Sequence, residues 1–128
     1  MDSSNSAFQA ARVAGDLARA VETRELQILI AQERVAESIT QNTIHTQLEK
    51  TEEILQRAED AVGKVPAHVY SEMVEGQITE TVLNTAKTRR SDLIIMGAEG
   101  MGRLTGALLG INGQRIVSES PCPVLIVK

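Results

Sequence analysis

The chain has 128 residues, of which 42% are apolar and 23% are charged, with a formal net charge of −4. This balance predicts one soluble domain, spanning residues 1–128, and the scarcity of aromatic residues and of clustered cations argues against a nucleic-acid partner. The single cysteine excludes an intrachain disulfide, and no apolar run approaches the roughly 18 residues of a membrane-spanning helix.

The chain opens with polar residues that favour a helix start. Asp2–Ser6 is a run of helix-capping residue types, and it lacks the basic and apolar segments of a signal peptide, so we expect a cytoplasmic protein. The stretch from about Ser6 to Thr23 is predicted to be a helix, because its apolar residues recur at helical spacing. They are Ala7, Ala10, Ala11, Ala14, Leu17, Ala18 and Val21.

A strand and a second helix are predicted next. Glu25–Ala31 is short and mostly apolar, which favours a buried strand. The polar stretch 32–42 is predicted to be a loop that leads into a helix from about Thr43 to Val62, with one apolar and one charged face. Gly63 is expected to end this helix.

The rest of the chain continues the alternation of strands and helices. Ala67–Val74 alternates only partly, which predicts an edge strand, and Gln77–Thr88 has the spacing of a helix. Asp92–Met96 is an apolar run without polar alternation, typical of a strand buried on both faces. A short helix beginning near Ile111 and a final strand at Val124–Val127 complete the pattern.

This alternation predicts an α/β fold with parallel strands and right-handed crossovers. In open sheets of this kind, ligands bind beyond the carboxyl ends of the strands. The glycine-rich segment after Met96 lies at such an end, and its backbone N–H groups could approach a phosphate. The alternative is a turn whose glycines serve only the backbone conformation.

The spacing of the glycines carries a family resemblance. Two residues separate Gly97 from Gly100, nine separate Gly100 from Gly110, and Ile111 follows. Together with the apolar strand before this segment and the PCPVLIV sequence after it, the spacing resembles the C-terminal half of the universal stress protein family. Nucleotide-binding members of that family carry serine or threonine where this chain has Ile111.

The resemblance implies an open parallel-sheet sandwich of the Rossmann-like, adenine nucleotide alpha hydrolase-like type, with strand order 3-2-1-4-5. The central first strand of that order is missing from this sequence, because Asp2 already matches its end. Three explanations are open. The sequence lacks N-terminal residues, the two strands beside the gap pair directly, or another chain fills the gap.

The resemblance also implies a site for ATP or AMP, with Mg²⁺ if the ligand is ATP. Adenine is expected near Ala31 and ribose near Asp2, while the loop glycines would hold the phosphates. Arg103 is a nearby cation and Asn112 could offer a side-chain amide in place of the missing hydroxyl. The expected site residues are Asp2, Ala31, Met96, Gly97, Gly100, Arg103, Gly110, Ile111 and Asn112.

The implied activity is a regulatory stress-response module that forms a homodimer through Val124–Val127. The alternative is a dimeric protein-interaction module of the same fold that binds no nucleotide. No convincing catalytic base is present, so at most slow, incidental ATP hydrolysis is expected. His45 and His68 lack partners at metal-ligand spacing, and Cys122 is expected to be a small buried residue.

Overall fold

The computed structural model of the chain describes residues 5–32, 41–98 and 110–128. Helices and strands alternate through these ranges, which confirms the predicted α/β class. In chain order they are α1 (Asn5–Ala20), β1 (Glu25–Gln32), α2 (Gln41–Val62), β2 (His68–Glu75), α3 (Ile78–Thr88), β3 (Ile94–Gly97), α4 (Ile111–Glu119) and β4 (Val124–Val127). Among the described residues, no helix is long and apolar enough to span a membrane.

The helix ends follow from local chemistry. Gly63 adopts a positive φ of 72° and its N–H donates to the Glu59 carbonyl at 2.9 Å, so it ends α2 as the sequence predicts. The α1 helix ends earlier than predicted, at Ala20, because Thr23 donates its N–H back to the Ala18 carbonyl and Glu22 turns into a positive φ of 51°.

The strands form two separate parallel pairs. The β1 strand pairs with β2 over its whole length, from Glu25 opposite His68 onward. The β3 strand pairs with β4, and N–H groups at both ends extend this ladder, from Ile94 to Pro123 at 3.0 Å and from Ala98 to Val127 at 2.8 Å. The predicted parallel arrangement is therefore confirmed within each pair.

No hydrogen-bonded pairing joins β1 to β3 in the described chain. The explanation that the strands beside the gap pair directly is therefore wrong. A cavity of about 800 Å³ separates the two strands, and residues of α1, α3 and α4 line it. These helices line the cavity from its two faces.

The α1 helix packs against both pairs. Its residue Gly15 lies so close to α2 that a Cβ atom there would stand 2.8 Å from the Val62 carbonyl carbon. Near its other end, a Cβ on Gly97 of β3 would stand 2.7 Å from the backbone nitrogen of Ala7. Glycine at each of the two positions thus permits backbone contact that any other residue would obstruct.

Further contacts fix α1 on α2. The Arg19 guanidinium donates to the Val62 carbonyl at 2.8 Å and to the Lys64 carbonyl at 3.1 Å, which satisfies acceptors at the end of α2. The Arg57 guanidinium lies 3.9 Å from the centre of the Phe8 ring. Beneath these contacts lies a buried apolar cluster of Ala11, Ile28, Ile30, Ala58 and Val62.

The β2 strand is more exposed than the partial alternation predicted. Val74 is its one buried residue, whereas Val69, Tyr70 and Met73 are 40–45% exposed. Exposure on both faces fits the predicted edge position, because helices cover the outer strand less completely than the inner strands.

The α3 and α4 helices lie on the face opposite α1, and an ion pair joins them. Arg115 donates from Nη1 to the Glu80 carboxylate and from Nε to the Glu119 carboxylate at 2.5 Å. The Arg115 hydrogen bond lowers the pKa of Glu80, and a backbone hydrogen bond acts in the same direction. These groups are exposed, so the pair is a modest link between the two helices.

We expect Gly15→Ala to destabilise the protein, although alanine is the better helix former by about 1 kcal/mol. The added Cβ would collide with the Val62 carbonyl, and such overpacking typically costs about 1–3 kcal/mol. Urea denaturation followed by circular dichroism measures the loss. The control is Gln9→Ala, at an exposed position of α1. A Gly15→Ala variant as stable as the wild type would contradict the close packing of α1 on α2.

We expect Glu80→Gln to lower stability at pH 7, with the difference from wild type vanishing in acid. Because the folded-state pKa of Glu80 lies below its ordinary value of 4.5, its contribution is complete above that value. It is lost as the pH falls through the lowered pKa. Thermal melts between pH 7 and pH 3 test this, with the exposed Glu72→Gln as the control. A Glu80→Gln deficit that persists unchanged at pH 3 would exclude the ion pair as its cause.

Candidate functional site

Two helices point their N-termini toward the carboxyl ends of the strands. The α1 helix joins the start of β1 through residues 21–24, and α4 joins the start of β4 through residues 120–123. Each helix therefore runs opposite to the strand that follows it. The nine residues of α4 span about 13 Å, as do the four residues of β4, so the α4 N-terminus reaches the carboxyl edge.

The first turn of α1 lies directly against the end of β3. Ser6 and Ala7 are 2% and 4% exposed, and both contact the position that a Cβ would occupy on Gly97. Met96 and Ala98, on either side of Gly97, are also buried. The carboxyl end of β3 is thus a tightly packed floor beside the N-terminus of α1.

The first turn of α4 presents backbone donors. Gly110 precedes the helix in an extended conformation, and no side chain of the described residues caps it. The first hydrogen bond of the helix runs from the Gln114 N–H to the Gly110 carbonyl at 3.0 Å. The N–H groups of residues 111–113 have no acceptor within the helix, and no acidic residue lies in the first turn. The positive end of the helix dipole lies at these N–H groups and favours an anion.

The described structure accounts for six of the residues predicted for the site. Met96 and Gly97 form the end of β3, and Ala31 lies near the end of β1, in register with Val74 of β2. Gly110 is buried at the start of α4, Ile111 is 65% exposed and Asn112 is half-buried. The first turn of α4 thus holds Ile111 and Asn112, and Gly97 meets the first turn of α1. The remaining three, Asp2, Gly100 and Arg103, lie outside the described residues.

Ser6 is a residue of this region that sequence reasoning did not select. It belongs to the capping run at the chain start, but only the structure shows its side chain buried against Gly97. The signal that points to it is its position immediately before the alanine stripe of α1.

The other candidate residues do not form a catalytic arrangement. His68 lies exposed on β2, with its ring centre 6.5 Å from that of Tyr70. Cys122 is half-buried, so the expectation of a buried residue is wrong. Its N–H donates to the Ser120 hydroxyl at 3.2 Å. A strand start between two prolines leaves the thiol near the surface.

Arg115 is engaged by Glu80 and Glu119, as described above. Over the part of the chain that the structure describes, no group of three His, Cys, Asp or Glu side chains could hold a metal ion.

Sequence comparison gives a match over the whole chain. A family model described as the universal stress protein family matches residues 1–128. A universal stress protein of Thermus aquaticus, from the 3′ region of a QAH/OAS sulfhydrylase, is 34% identical over 131 residues. That alignment covers 99% of this chain and 93% of the relative.

Solved structures share the fold. Universal stress protein UspA from Lactobacillus plantarum superposes with a TM-score of 0.78 at 21% identity, covering all of this chain and 93% of that one. A universal stress protein in complex with cAMP has a TM-score of 0.66 at 24% identity, covering 98% of this chain and 90% of that one. A universal stress protein of Archaeoglobus fulgidus in complex with dAMP has a TM-score of 0.67 at 14% identity, covering all of this chain and 92% of that one.

Proposed function

The chain belongs to the universal stress protein family, whose members are stress-response proteins, and we propose that it is a regulatory module that binds an adenine nucleotide. The proposed site is the carboxyl edge of the strands, between the ends of β1 and β3 and the N-termini of α1 and α4. We propose further that the 128 residues act as one cytoplasmic domain.

The observation that carries the proposal is the uncapped N-terminus of α4. Three backbone N–H groups there lack acceptors within the helix, and Gly110 before them has no side chain to obstruct a ligand. A phosphate would accept from these donors and gain from the helix dipole. The buried contact of Gly97 with the first turn of α1 brings a second helix N-terminus to the same edge.

The solved relatives support an adenine nucleotide as the ligand class. Structural neighbours are described as complexes with cAMP and dAMP. We therefore propose AMP or ATP as the ligand, with Mg²⁺ accompanying ATP. Each of these ligands joins an adenine to at least one phosphate, and the α4 N-terminus suits the phosphate.

In the proposed complex, the loop glycines Gly97, Gly100 and Gly110 bring their backbone close to the phosphates. Asn112 supplies a side-chain amide, and Arg103 supplies a positive charge. The adenine lies by Ala31 and Met96, and the ribose lies by Asp2. Ile111 offers only its backbone N–H, because its side chain has no hydroxyl.

A second candidate function is a protein-interaction module that binds no nucleotide. The observation that favours it is Ile111, a large apolar side chain that is 65% exposed at the start of α4. An exposed isoleucine, in place of the hydroxyl that the family resemblance implies for nucleotide-binding members, suits contact with a protein surface better than contact with a phosphate.

Titration calorimetry with AMP, ATP and cAMP, on protein first stripped of ligand under denaturing conditions and refolded, tests the nucleotide proposal. We expect micromolar binding of at least one of them. We also expect Ile111→Ser to bind it about tenfold more tightly, because a hydrogen bond to a charged group contributes roughly 1.5 kcal/mol. Ile111 is exposed, so this change should not disturb the core.

The matched control is Val117→Ser, because Val117 is 45% exposed on α4 but lies beyond its first turn. Its affinity should equal that of the wild type. If neither the wild type nor Ile111→Ser binds any of the three nucleotides, the nucleotide proposal fails and the interaction module is favoured.

We also propose that two copies associate through β4. This strand pairs with β3 on one edge, and no strand of the described residues pairs with its other edge. Unpaired backbone groups on an apolar strand favour pairing with another chain. Leu125, in the middle of β4, is 37% exposed.

Leu125→Lys should convert the dimer into a monomer, because two copies of β4 would bring like charges together and charged residues protect strand edges. Light scattering at micromolar concentration measures the mass. The control is Val117→Lys, at an exposed valine of α4 that does not line the cavity. A wild-type monomer, or a Leu125→Lys dimer, would contradict association through β4.

A further inference from the structure

The β2 strand has one side without a strand partner in the described chain, and we call this side the outer edge. The eight residues of β2 pair with β1 in one continuous register, and no strand of the described residues pairs with the outer edge. The strand sequence, HVYSEMVE, contains no proline and no lysine, two residue types that commonly protect strand edges. A long and regular edge of this kind is a template for strand addition.

The ladder between β1 and β2 determines which residues form the outer edge. The His68 N–H donates to the Arg24 carbonyl at 2.9 Å, so His68 and every second residue after it form hydrogen bonds with β1. The residues between them direct their N–H and C=O groups outward. They are Val69, Ser71, Met73 and Glu75.

Two residues of the outer edge carry exposed apolar side chains. Val69 and Met73 are in register with Leu26 and Ile30 of β1, so they lie on the same face of the sheet as those residues. Ile30 is buried in the apolar cluster beneath α2, and Leu26 packs against that cluster. Val69 and Met73, in contrast, are 40% and 45% exposed. The apolar face of this strand pair therefore continues to the outer edge, where an added strand would cover it.

The other face of β2 carries charges that could recognise a second copy of the chain. Tyr70 and Glu72 lie on this face, because side chains alternate along a strand. The Arg89 guanidinium lies 4.8 Å from the centre of the Tyr70 ring. A carboxylate placed opposite Tyr70 would therefore lie close to a positive charge. In an antiparallel pair of β2 strands, Glu72 of the second copy supplies that carboxylate.

A twofold axis through Ser71 gives the register that suits both faces. Residues 68–74 of the two copies then pair, with Val69 opposite Met73 of the second copy and Tyr70 opposite Glu72 of the second copy. The Ser71 hydroxyls meet across the axis, where they can form a hydrogen bond.

Neighbouring registers are less favourable. An axis through Glu72 would place two glutamates directly opposite each other, and like charges in that position are destabilising. An axis through Tyr70 would limit the pairing to residues 68–72 and lose the contact between Val69 and Met73.

We propose that the outer edge of β2 is a second self-association surface, at which another copy of this chain adds its own β2 antiparallel in this register. The contact is isologous, because each copy contributes the same residues. One strand edge is small beside the roughly 800 Å² per partner of a standard interface, so we expect a Kd on the order of 100 μM. Because β2 and β4 belong to different strand pairs, this contact leaves the free edge of β4 open.

Sedimentation equilibrium of the Leu125→Lys chain isolates the β2 contact, because this change is designed to block association through β4. We expect a monomer at about 5 μM and a dimer at several hundred micromolar. Adding Ser71→Pro removes an outward N–H without removing a hydrogen bond to β1, and should weaken this dimer at least tenfold. The matched control, Ser71→Thr, keeps the N–H and a hydroxyl and should not weaken it.

Circular dichroism checks that these variants fold. If Ser71→Pro does not fold, Met73→Lys replaces it, because Met73 is an exposed side chain that meets Val69 across the proposed contact. It should also weaken the dimer at least tenfold.

Cysteine crosslinking tests the register independently of β4. In a Cys122→Ser background with oxidised glutathione, Ser71→Cys should form a covalent dimer at several hundred micromolar. In the proposed register its two Cα atoms lie about 5.5 Å apart, within reach of a disulfide. Val69→Cys is the control and should not link, because its two copies lie about 14 Å apart.

Three outcomes would overturn the proposal. They are a Leu125→Lys chain that stays monomeric at several hundred micromolar, equal association of the Ser71→Pro and Ser71→Thr chains, and crosslinking of Val69→Cys as efficient as that of Ser71→Cys. Failure of the β4 contact gives a different result, because the wild type and Leu125→Lys would then have the same mass at every concentration. The crosslinking pair decides the β2 contact in either case.

Discussion

The close packing of α1 is the constraint on which the described architecture depends. This helix touches α2 at Gly15 and β3 at Gly97, and at both points its backbone lies too close for a side chain on the glycine. Its alanine stripe has the same effect along its length, because small side chains allow a helix to approach what it covers. One helix thereby spans both strand pairs and sets the distance between them.

This packing connects the proposed nucleotide site with the cavity between β1 and β3. The α1 N-terminus lies at the carboxyl edge, where we propose that the phosphates of a nucleotide bind, and the body of the helix lines the cavity between β1 and β3. The arrangement thus places the proposed phosphate site and an apolar interior cavity along one element.

The sequence predicts the elements well because their periodicity is local. The alternation of helices and strands, the parallel pairing and the stop at Gly63 all follow from patterns within a few residues. The sequence predicts the burial of individual residues less well, since burial depends on residues that are distant along the chain. Cys122 is half-exposed and β2 is exposed on both faces because little packs against them.

The sequence likewise predicts only part of the candidate site. Glycine spacing identifies Gly97 and Gly110, but the burial of Ser6 against β3 depends on how α1 crosses the sheet, which no local pattern encodes. Likewise, the sequence leaves open whether β1 and β3 pair, and the structure shows that no hydrogen-bonded ladder joins them in the described chain.

The separation of the two strand pairs has a consequence for how the fold comes apart. A continuous ladder of backbone hydrogen bonds normally makes a sheet melt as one cooperative unit. Here no ladder links β1 to β3 in the described chain, so helix packing, chiefly by α1, couples the two halves. Partial opening of one strand pair then leaves the hydrogen bonds of the other pair intact. We therefore expect the two pairs to behave as two folding units that share α1.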